Sequence, residues 1–526
     1  MTDVVIGIDT GTTATKGIAA TIDGTLRAHT SVHYPLLVPG PGRAELDPGQ
    51  LRDAAVKALT DVAAACRENG DRVVAVSLSA FLHALVPLDK SGNPLGPLVT
   101  WADARSGDQC DRILAAGRSR SLQARTGTPV HPMSPLTKLA WWRDNDPATL
   151  RDTPRWGGVK ELILAALTDE PFLLDLSLAS GTGLYDIHAR GWDAEALQIA
   201  GVSAGQLAEV VPTTTVLRLK AGLAGLPDGT PLIIGAADGP LANLGVGATP
   251  AGVAAISLGT SGALRTVVDR PTSDENGRLF CYALTEDRWV IGGAVNNAGS
   301  VVRWAGQSFA AGFERPGAEG EDADERDAAL LMEAQSAPPG SDGLLCLPYL
   351  LGERAPWWRS GLRGAYLGLR REHGRAHLVR SAVEGVCQQL ALVKDSFDFP
   401  VTQVRATGGA VASELWIGVL AATLDLPVAV ADTPEGTALG ACLLGWHAVG
   451  QLPDLDHAAA LIPIGEPTVP DPANAALYAR LRPLIEKSAL AMLDTVKELD
   501  RLAPPPTPAI PVTDGRVDAA HSGEKA

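Results

Sequence analysis

The chain has 526 residues, 46% hydrophobic and 20% charged, and its 60 Asp and Glu against 44 Lys and Arg give a formal net charge of −16. That length is too great for one ordinary core, and the composition is that of a soluble globular protein, so two large domains are expected. The acidic balance, with no basic stripe and no run of about 18 apolar residues, speaks against nucleic acid or a membrane as partner, though a locally positive pocket can still take a small anion. The first residues enter a strand pattern without the basic and apolar segments of a signal peptide, so a cytoplasmic location is expected. In VVIGIDTGTTATKG (4–17) an apolar run stops at Asp9 and a loop of small residues follows. The loop lacks the GxxxxGK[ST] spacing of a P-loop and the GxGxxG of a dinucleotide site. Residues 4–8 and 17–22 read instead as two strands of a hairpin around a glycine-threonine turn. Backbone N–H groups in such a turn make a nest for phosphate oxygens, and a carboxylate beside them repels phosphate unless a cation intervenes. Asp9 is therefore a candidate magnesium ligand, the alternative being a turn with a capping aspartate.

Residues 51–68 carry helical periodicity through Leu51, Ala55, Leu59, Val62, Ala63 and Cys66, and VVAVSLS (73–79) reads as a buried strand. This alternation argues for α/β layers. GLPDGTPL (225–232) leads into the apolar strand IIGAAD, which ends at Asp238. A carboxylate at a strand end facing a cleft suits a general base for a substrate hydroxyl, with a helix cap as the alternative. Ile8–Thr13 lines up with Ile256–Ser261 at a constant offset of 248, which implies two related domains with one phosphate-holding hairpin each. The charge run at 318–328 reads as a solvated helix face or loop. In RATGGAVASELW (405–416) glycines between a strand and a helix place backbone against something flat or anionic, such as an adenosine; a plain strand–turn–helix connection is the alternative. EGTALGACLLG (435–445) begins a small-residue helix able to pack closely behind that site, and the Pro-rich end from Leu502 reads as a disordered tail. The six cysteines are scattered without a CxxC pair, which favours buried free thiols over a disulfide framework or a zinc site.

The set DTGTTATKG, WADAR, GAADG, ISLGTSG, LPYLLGERAPWW, ATGGAVAS and EGTALGAC resembles the FGGY carbohydrate kinases, in the family's order and from about residue 3 to residue 490. That family belongs to the actin-like ATPases. The resemblance implies an α/β fold of two ribonuclease-H-like domains with a catalytic cleft between them, residues 1–247 on the sugar side, 248–495 on the ATP side and 502–526 as a tail. It also implies ATP and Mg2+ as cofactors, with Asp9 at the metal and Gly11, Thr12 and Thr13 at the first phosphate loop. Lys16 matches a position that is basic in some members and becomes a phosphate contact. Gly259, Thr260 and Ser261 match the loop holding the transferring phosphate, and Asp238 matches the general base, in contact with substrate. Gly408, Gly409 and Ser413 match the adenosine loop, with Ala410 where a third glycine is expected.

The same resemblance places His83, Trp101, Asp103 and Arg105 against the substrate hydroxyls. His83 departs from the QMHG of xylulokinases, with Phe81-Leu82 before it and Ala84 after it. Without the family, core packing is the reading for His83 and Trp101. TGTPVHPMSPLTKLAWW (126–142), TWADARS and GERAPWW resemble the gluconate-phosphorylating members. Gluconate carries a carboxylate that a buried site must pair with cations or N–H donors, and Lys138 and Arg105 are the candidates. For Lys138 the alternative is a surface lysine on a helix. The reaction implied is phosphorylation of a sugar or sugar acid, D-gluconate to 6-phosphogluconate, with a ketopentose such as xylulose as the alternative substrate. A sugar-independent ATPase or binding module is the alternative of another class, and a homodimer is compatible with the sequence without being specified by it.

Overall fold

A computed structural model describes residues 1–170, 172–309, 323–433 and 435–502. Two six-stranded sheets organise the chain, and each grows from a hairpin. In the first, β1 (Asp3–Thr10) and β2 (Ala14–Ala20) pair antiparallel with Asp9 opposite Lys16. The second strand starts earlier than 17 and ends at Ala20, because the Gly24 N–H closes a turn onto Thr21 O at 3.0 Å. β3 (Leu26–His33) flanks β2, and β4 (Arg72–Ala80) runs parallel to β1 on its other side. β5 (Val216–Arg218) and β6 (Pro231–Ala237) complete the order β5-β6-β4-β1-β2-β3.

The second sheet repeats this plan with β7 (Val253–Leu258), β8 (Gly262–Val268), β9 (Phe280–Ala283), β10 (Trp289–Val295), β11 (Gln403–Thr407) and β12 (Val428–Val430). Its order is β9-β10-β8-β7-β11-β12. Hairpin laid on hairpin, β3-β2-β1-β4-β6 corresponds to β10-β8-β7-β11-β12 in order and in strand direction. The six-residue match at an offset of 248 is thus the local trace of a duplicated sheet.

Alternation along β1 serves two cores at once. Val4, Ile6 and Ile8 lie under α1 (Pro48–Glu68), while Val5 points the other way, into a cluster shared by both halves. The helix starts before residue 51 because the Asp47 carboxylate caps the N–H groups of Gly49 and Gln50. Four further helices matter for the site: α2 (Pro135–Asn145), α3 (Asp238–Gly245), α4 (Glu414–Leu424) and α5 (Gly436–Ala448). Glycine lets α3 and α5 touch backbone to backbone. A Cβ on Gly245 would lie 1.7 Å from Gly436 O, and one on Gly440 2.0 Å from Leu241 O. The small-residue helix therefore packs between the halves, against α3 and β1.

All six cysteines are buried and unpaired. Among the described residues no helix is long and apolar enough to cross a membrane. Part of the expected charge run, 318–322, lies outside the described residues, and the rest enters a helix, Ala323–Ala334. Leu502 closes the last described helix; the remainder of the expected tail, 503–526, also lies outside.

Candidate active site

The two hairpin turns offer the same kind of surface. Gly11 N–H bonds Ala14 O at 2.9 Å, and Gly259 N–H bonds Ser261 O at 2.9 Å. The N–H groups of Thr12, Thr13, Thr260 and Ser261 take no hydrogen-bond partner among the described residues, so each turn presents free donors. Just before the first turn, Asp9 accepts a 2.7 Å bond from Ser79 Oγ, its register partner on β4. Burial pushes the Asp9 pKa up to about 6 against that bond, and the charges of Asp238 and Glu435 add to the rise.

Asp238 opens α3 directly after β6, and its Oδ1 accepts from the Gly239 N–H at 2.7 Å. The strand reaches this point through a bulge at Gly235 (φ +78°), where a Cβ would sit 1.6 Å from Leu78 O. The buried Lys160 ammonium steadies the bulge, donating to Ile234 O at 2.6 Å and Leu78 O at 3.3 Å and pairing with Asp175 at 3.3 Å. Burial raises the Asp238 pKa, opposed by the Gly239 bond and by the charges of Arg265 and Arg354. Those two arginines come from the other half, Arg265 on β8 and Arg354 in the LGERAPWW segment.

His83 is held at φ +67°, a conformation costly for a residue with a side chain. Its Nδ1 donates to Gly181 O at 2.7 Å, which leaves Nε2 as an acceptor, with the Tyr282 hydroxyl 3.4 Å away. Burial, helped by the Lys138 charge, drives the His83 pKa down to about 3, so the ring is neutral at working pH. His131 is likewise lowered to about 3, by burial and then the Arg354 charge. Trp101 donates from Nε1 to Thr12 Oγ1 at 3.0 Å, and the Arg354 guanidinium lies 5.3 Å from its ring centre. Thus one tryptophan links the first hairpin turn to an arginine of the opposite half.

In the second half the chain leaves β11 through Gly408 (φ +101°), where a Cβ would lie 2.1 Å from Leu258 O. Only glycine passes there. Gly409 faces open space, Ala410 rests against the core without blocking the loop, and Ser413 leads into α4. The loop therefore runs directly behind the second turn.

Three expected substrate contacts are engaged elsewhere. Asp103 accepts Ala44 N–H at 2.8 Å and the Arg105 guanidinium at 2.8 and 2.7 Å, and Arg105 also pairs with Glu45. With Arg105 stacked 5.4 Å from Trp141, this buried network clamps the 44–46 segment onto α2. Lys138 is no surface lysine: it is fully buried, and its ammonium donates to His83 O, Thr100 O and Met133 O at 2.6, 2.7 and 2.7 Å. All three of its protons are committed, so none is left for a substrate carboxylate. Lys16, expected at a phosphate, pairs with Glu435 at 2.9 Å. Sequence patterns alone do not single out Ser79, His131, Tyr282, Arg265 and Arg354. His131 and Arg354 stand inside recognisable motifs, but nothing near in sequence signals that they converge.

Residues 4–245 match the N-terminal-domain model, and residues 254–449 the C-terminal-domain model, of the FGGY family of carbohydrate kinases. The chain belongs to this family. Over 492 residues it is 39% identical to a gluconokinase of Bacillus subtilis (strain 168), covering 92% of this chain and 95% of that protein. A xylulose kinase of Lactococcus lactis subsp. lactis (strain IL1403) is 27% identical over 502 residues, 91% of this chain and 94% of that protein. The crystal structure of a gluconate kinase from Lactobacillus acidophilus superimposes with a TM-score of 0.88 at 32% identity, covering 95% of this chain and all of that one. This carbohydrate kinase therefore has the two-domain α/β fold of the actin-like ATPases, and the duplicated sheets are its two halves.

Proposed function

We propose that this kinase transfers the γ-phosphoryl group of ATP to the 6-hydroxyl of D-gluconate. The observation that carries the reading is Asp238, a half-buried carboxylate at the strand end, held by the backbone N–H groups of Gly239 and Leu82 and facing the charges of Arg265 and Arg354. Burial raises its basicity, which suits it to take the hydroxyl proton as that oxygen attacks phosphorus in line and the bond to the leaving ADP oxygen breaks. The free N–H groups of Thr12 and Thr13 on one side, and of Thr260 and Ser261 on the other, are placed to hold the phosphoryl oxygens. Gly11 and Gly259 shape those turns, while Gly408, Gly409, Ala410 and Ser413 form the adenosine loop. Neutral His83 offers Nε2 to a sugar hydroxyl beside the Trp101 ring.

Magnesium fits at Asp9. The carboxylate is half-buried beside the free N–H groups of the first turn, and desolvation together with the charges of Asp238 and Glu435, partly offset by Lys16, disfavours its ionised form, so a cation there would stabilise it. A divalent ion bound there would offset the charge on the phosphate oxygens. The similarity to two gluconokinases at 39% and 37% identity supports the sugar acid over a ketopentose. Six buried unpaired thiols support a reducing compartment, hence the cytoplasm.

The test is ADP release with ATP and magnesium across D-gluconate, D-xylulose, L-ribulose, glycerol and no sugar. Turnover that depends on gluconate is expected. Turnover on a ketose alone would discard the substrate and keep the chemistry, and sugar-independent hydrolysis would remove the kinase reading. Asp238→Ala is expected to lower kcat at least about a hundredfold with little change in nucleotide or sugar binding. Retention of most of the wild-type kcat would take Asp238 out of the role.

A further inference from the structure

With Lys138 and Arg105 committed to the protein, the cation that meets a substrate carboxylate has to come from elsewhere in the cleft. Two guanidinium groups there form no salt bridge among the described residues, the opposite charges near them being Asp238 and, for Arg354, Glu353. Arg354 gives a single side-chain hydrogen bond, from Nη2 to Val295 O at 3.2 Å, and lies against the face of Trp101. Its neighbour Glu353 is fully engaged, accepting from Asn296 N–H at 2.6 Å, Asn297 Nδ2 at 2.9 Å and the Arg354 N–H at 2.8 Å. Arg265 likewise gives a single side-chain bond, from Nη2 to Ser257 Oγ at 3.1 Å. Its Nη1 lies so close to Gly239 that a Cβ on that glycine would come within 3.3 Å of it. The Nε atoms of both arginines are buried without a partner, and neither arginine forms a salt bridge among the described residues.

A buried guanidinium is costly unless an anion completes it, and its planar fork matches a carboxylate. We infer that Arg265 and Arg354, the two unpaired arginines flanking Asp238, form the carboxylate receptor of the substrate pocket. Both belong to the second half, whereas His83 and Trp101 belong to the first. An acidic substrate is therefore gripped from both sides, whereas a neutral sugar of the same length leaves the two half-buried guanidinium groups with only Asp238 and Glu353 as nearby negative charge. The arginines select the acid. Their charge also favours the ionised form of Asp238, the form a proton acceptor requires.

This inference rests on the proposed gluconate reading, and the experiment separates the two. Steady-state kinetics of the wild type, Arg354→Gln, Arg354→Lys and Arg265→Gln would be measured with D-gluconate and with D-gluconamide, the uncharged amide of the same skeleton. The wild type is expected to prefer gluconate by about a hundredfold in kcat/KM, because the amide cannot form an ionic bidentate pair in a buried site. Each glutamine variant is expected to shrink that preference at least about tenfold, through KM for gluconate, while Arg354→Lys keeps part of it. Because the readout is a ratio of two substrates on one protein, a partial folding defect cancels. An arginine whose glutamine variant loses activity equally on both substrates is structural or directed at phosphate, and its assignment here falls. A wild type that turns over no gluconate overturns the gluconate reading itself; a wild type with a strong preference that both glutamine variants retain overturns only the receptor.

Discussion

At the scale of single residues, the site stores its strain as charge. Desolvation, with Asp238 and Glu435 adding to it and Ser79 and Lys16 opposing it, holds the pKa of half-buried Asp9 at about 6 against an ordinary 3.8. A raised carboxyl pKa means that the fold disfavours the ionised form, so the cost is fully present above about pH 6 and absent below about pH 4. That rise corresponds to about 3 kcal/mol at most, at 1.36 kcal/mol for each pH unit. Asp9→Asn keeps the shape and an acceptor for Ser79 but removes the charge. In the absence of nucleotide and metal, the variant is expected to melt a few degrees above the wild type at pH 7.5 and to lose that advantage near pH 4, while being inactive. Thermal unfolding at both pH values checks it, and an Asn variant that melts lower at pH 7.5 would show that the Asp9 charge is already compensated. The same sign predicts that wild-type kcat/KM for ATP falls as pH drops through about 6. His83, with its pKa near 3, contributes nothing to that limb.

At the scale of elements, the hairpins, the strand ending at Asp238 and the repeat at 248 were legible because their signals are short in sequence. An apolar run, a small-residue turn and a carboxylate sit within a dozen positions of one another. Arg265 and Arg354 gave no such signal, since what defines them is the absence of a partner, and that is known only once every nearby carboxylate has been placed. Lys138 misled for the complementary reason. A lysine on an amphipathic stretch looks exposed until three backbone carbonyls converge on its ammonium. The close packing of α5 was foreshadowed by the small residues of 435–445, but the sequence placed it behind the adenosine loop, whereas it packs against α3 and β1. That packing carries a prediction, because α3 begins with Asp238. Gly440→Ala would place a Cβ about 2 Å from a carbonyl of α3, forcing the helices apart at about 1–3 kcal/mol and displacing Asp238, the proposed general base. The expected result is a lower melting temperature together with a kcat reduced at least about tenfold. Gly418→Ala on α4, where a Cβ meets open space, is the matched control and is expected to stabilise by about 0.5–1 kcal/mol with kcat unchanged. Equal effects of the two substitutions would mean that the α3–α5 packing does not set the position of Asp238.

At the scale of the whole molecule, the two halves meet in contacts of different character. The edge strand β9 is clasped by the first half, with Cys281 N–H on Gly127 O at 2.8 Å, Ala283 N–H on Ser180 Oγ at 3.0 Å and Thr213 Oγ1 on Leu284 O at 2.8 Å. These bonds are buried and resist separation. The Lys16–Glu435 pair instead joins β2 to the start of α5 at a half-open position, with the Lys16 side chain 41% exposed and His29 Nε2 3.5 Å from the same carboxylate. An exposed pair of this kind contributes about 0–1 kcal/mol, little enough for an arriving phosphate to displace. Lys16 sits opposite Asp9 in register, so once released from Glu435 it can reach the phosphates beside the first turn. Glu435→Gln is therefore expected to lower the KM for ATP about two- to threefold, and Lys16→Ala to raise it about fivefold and flatten its salt dependence. Both should leave unfolding within about 0.5 kcal/mol of the wild type. If Glu435→Gln instead raises the KM for ATP, Glu435 acts at the metal or the phosphates directly, and the pair across the halves is not an exchange of partners but part of the binding site.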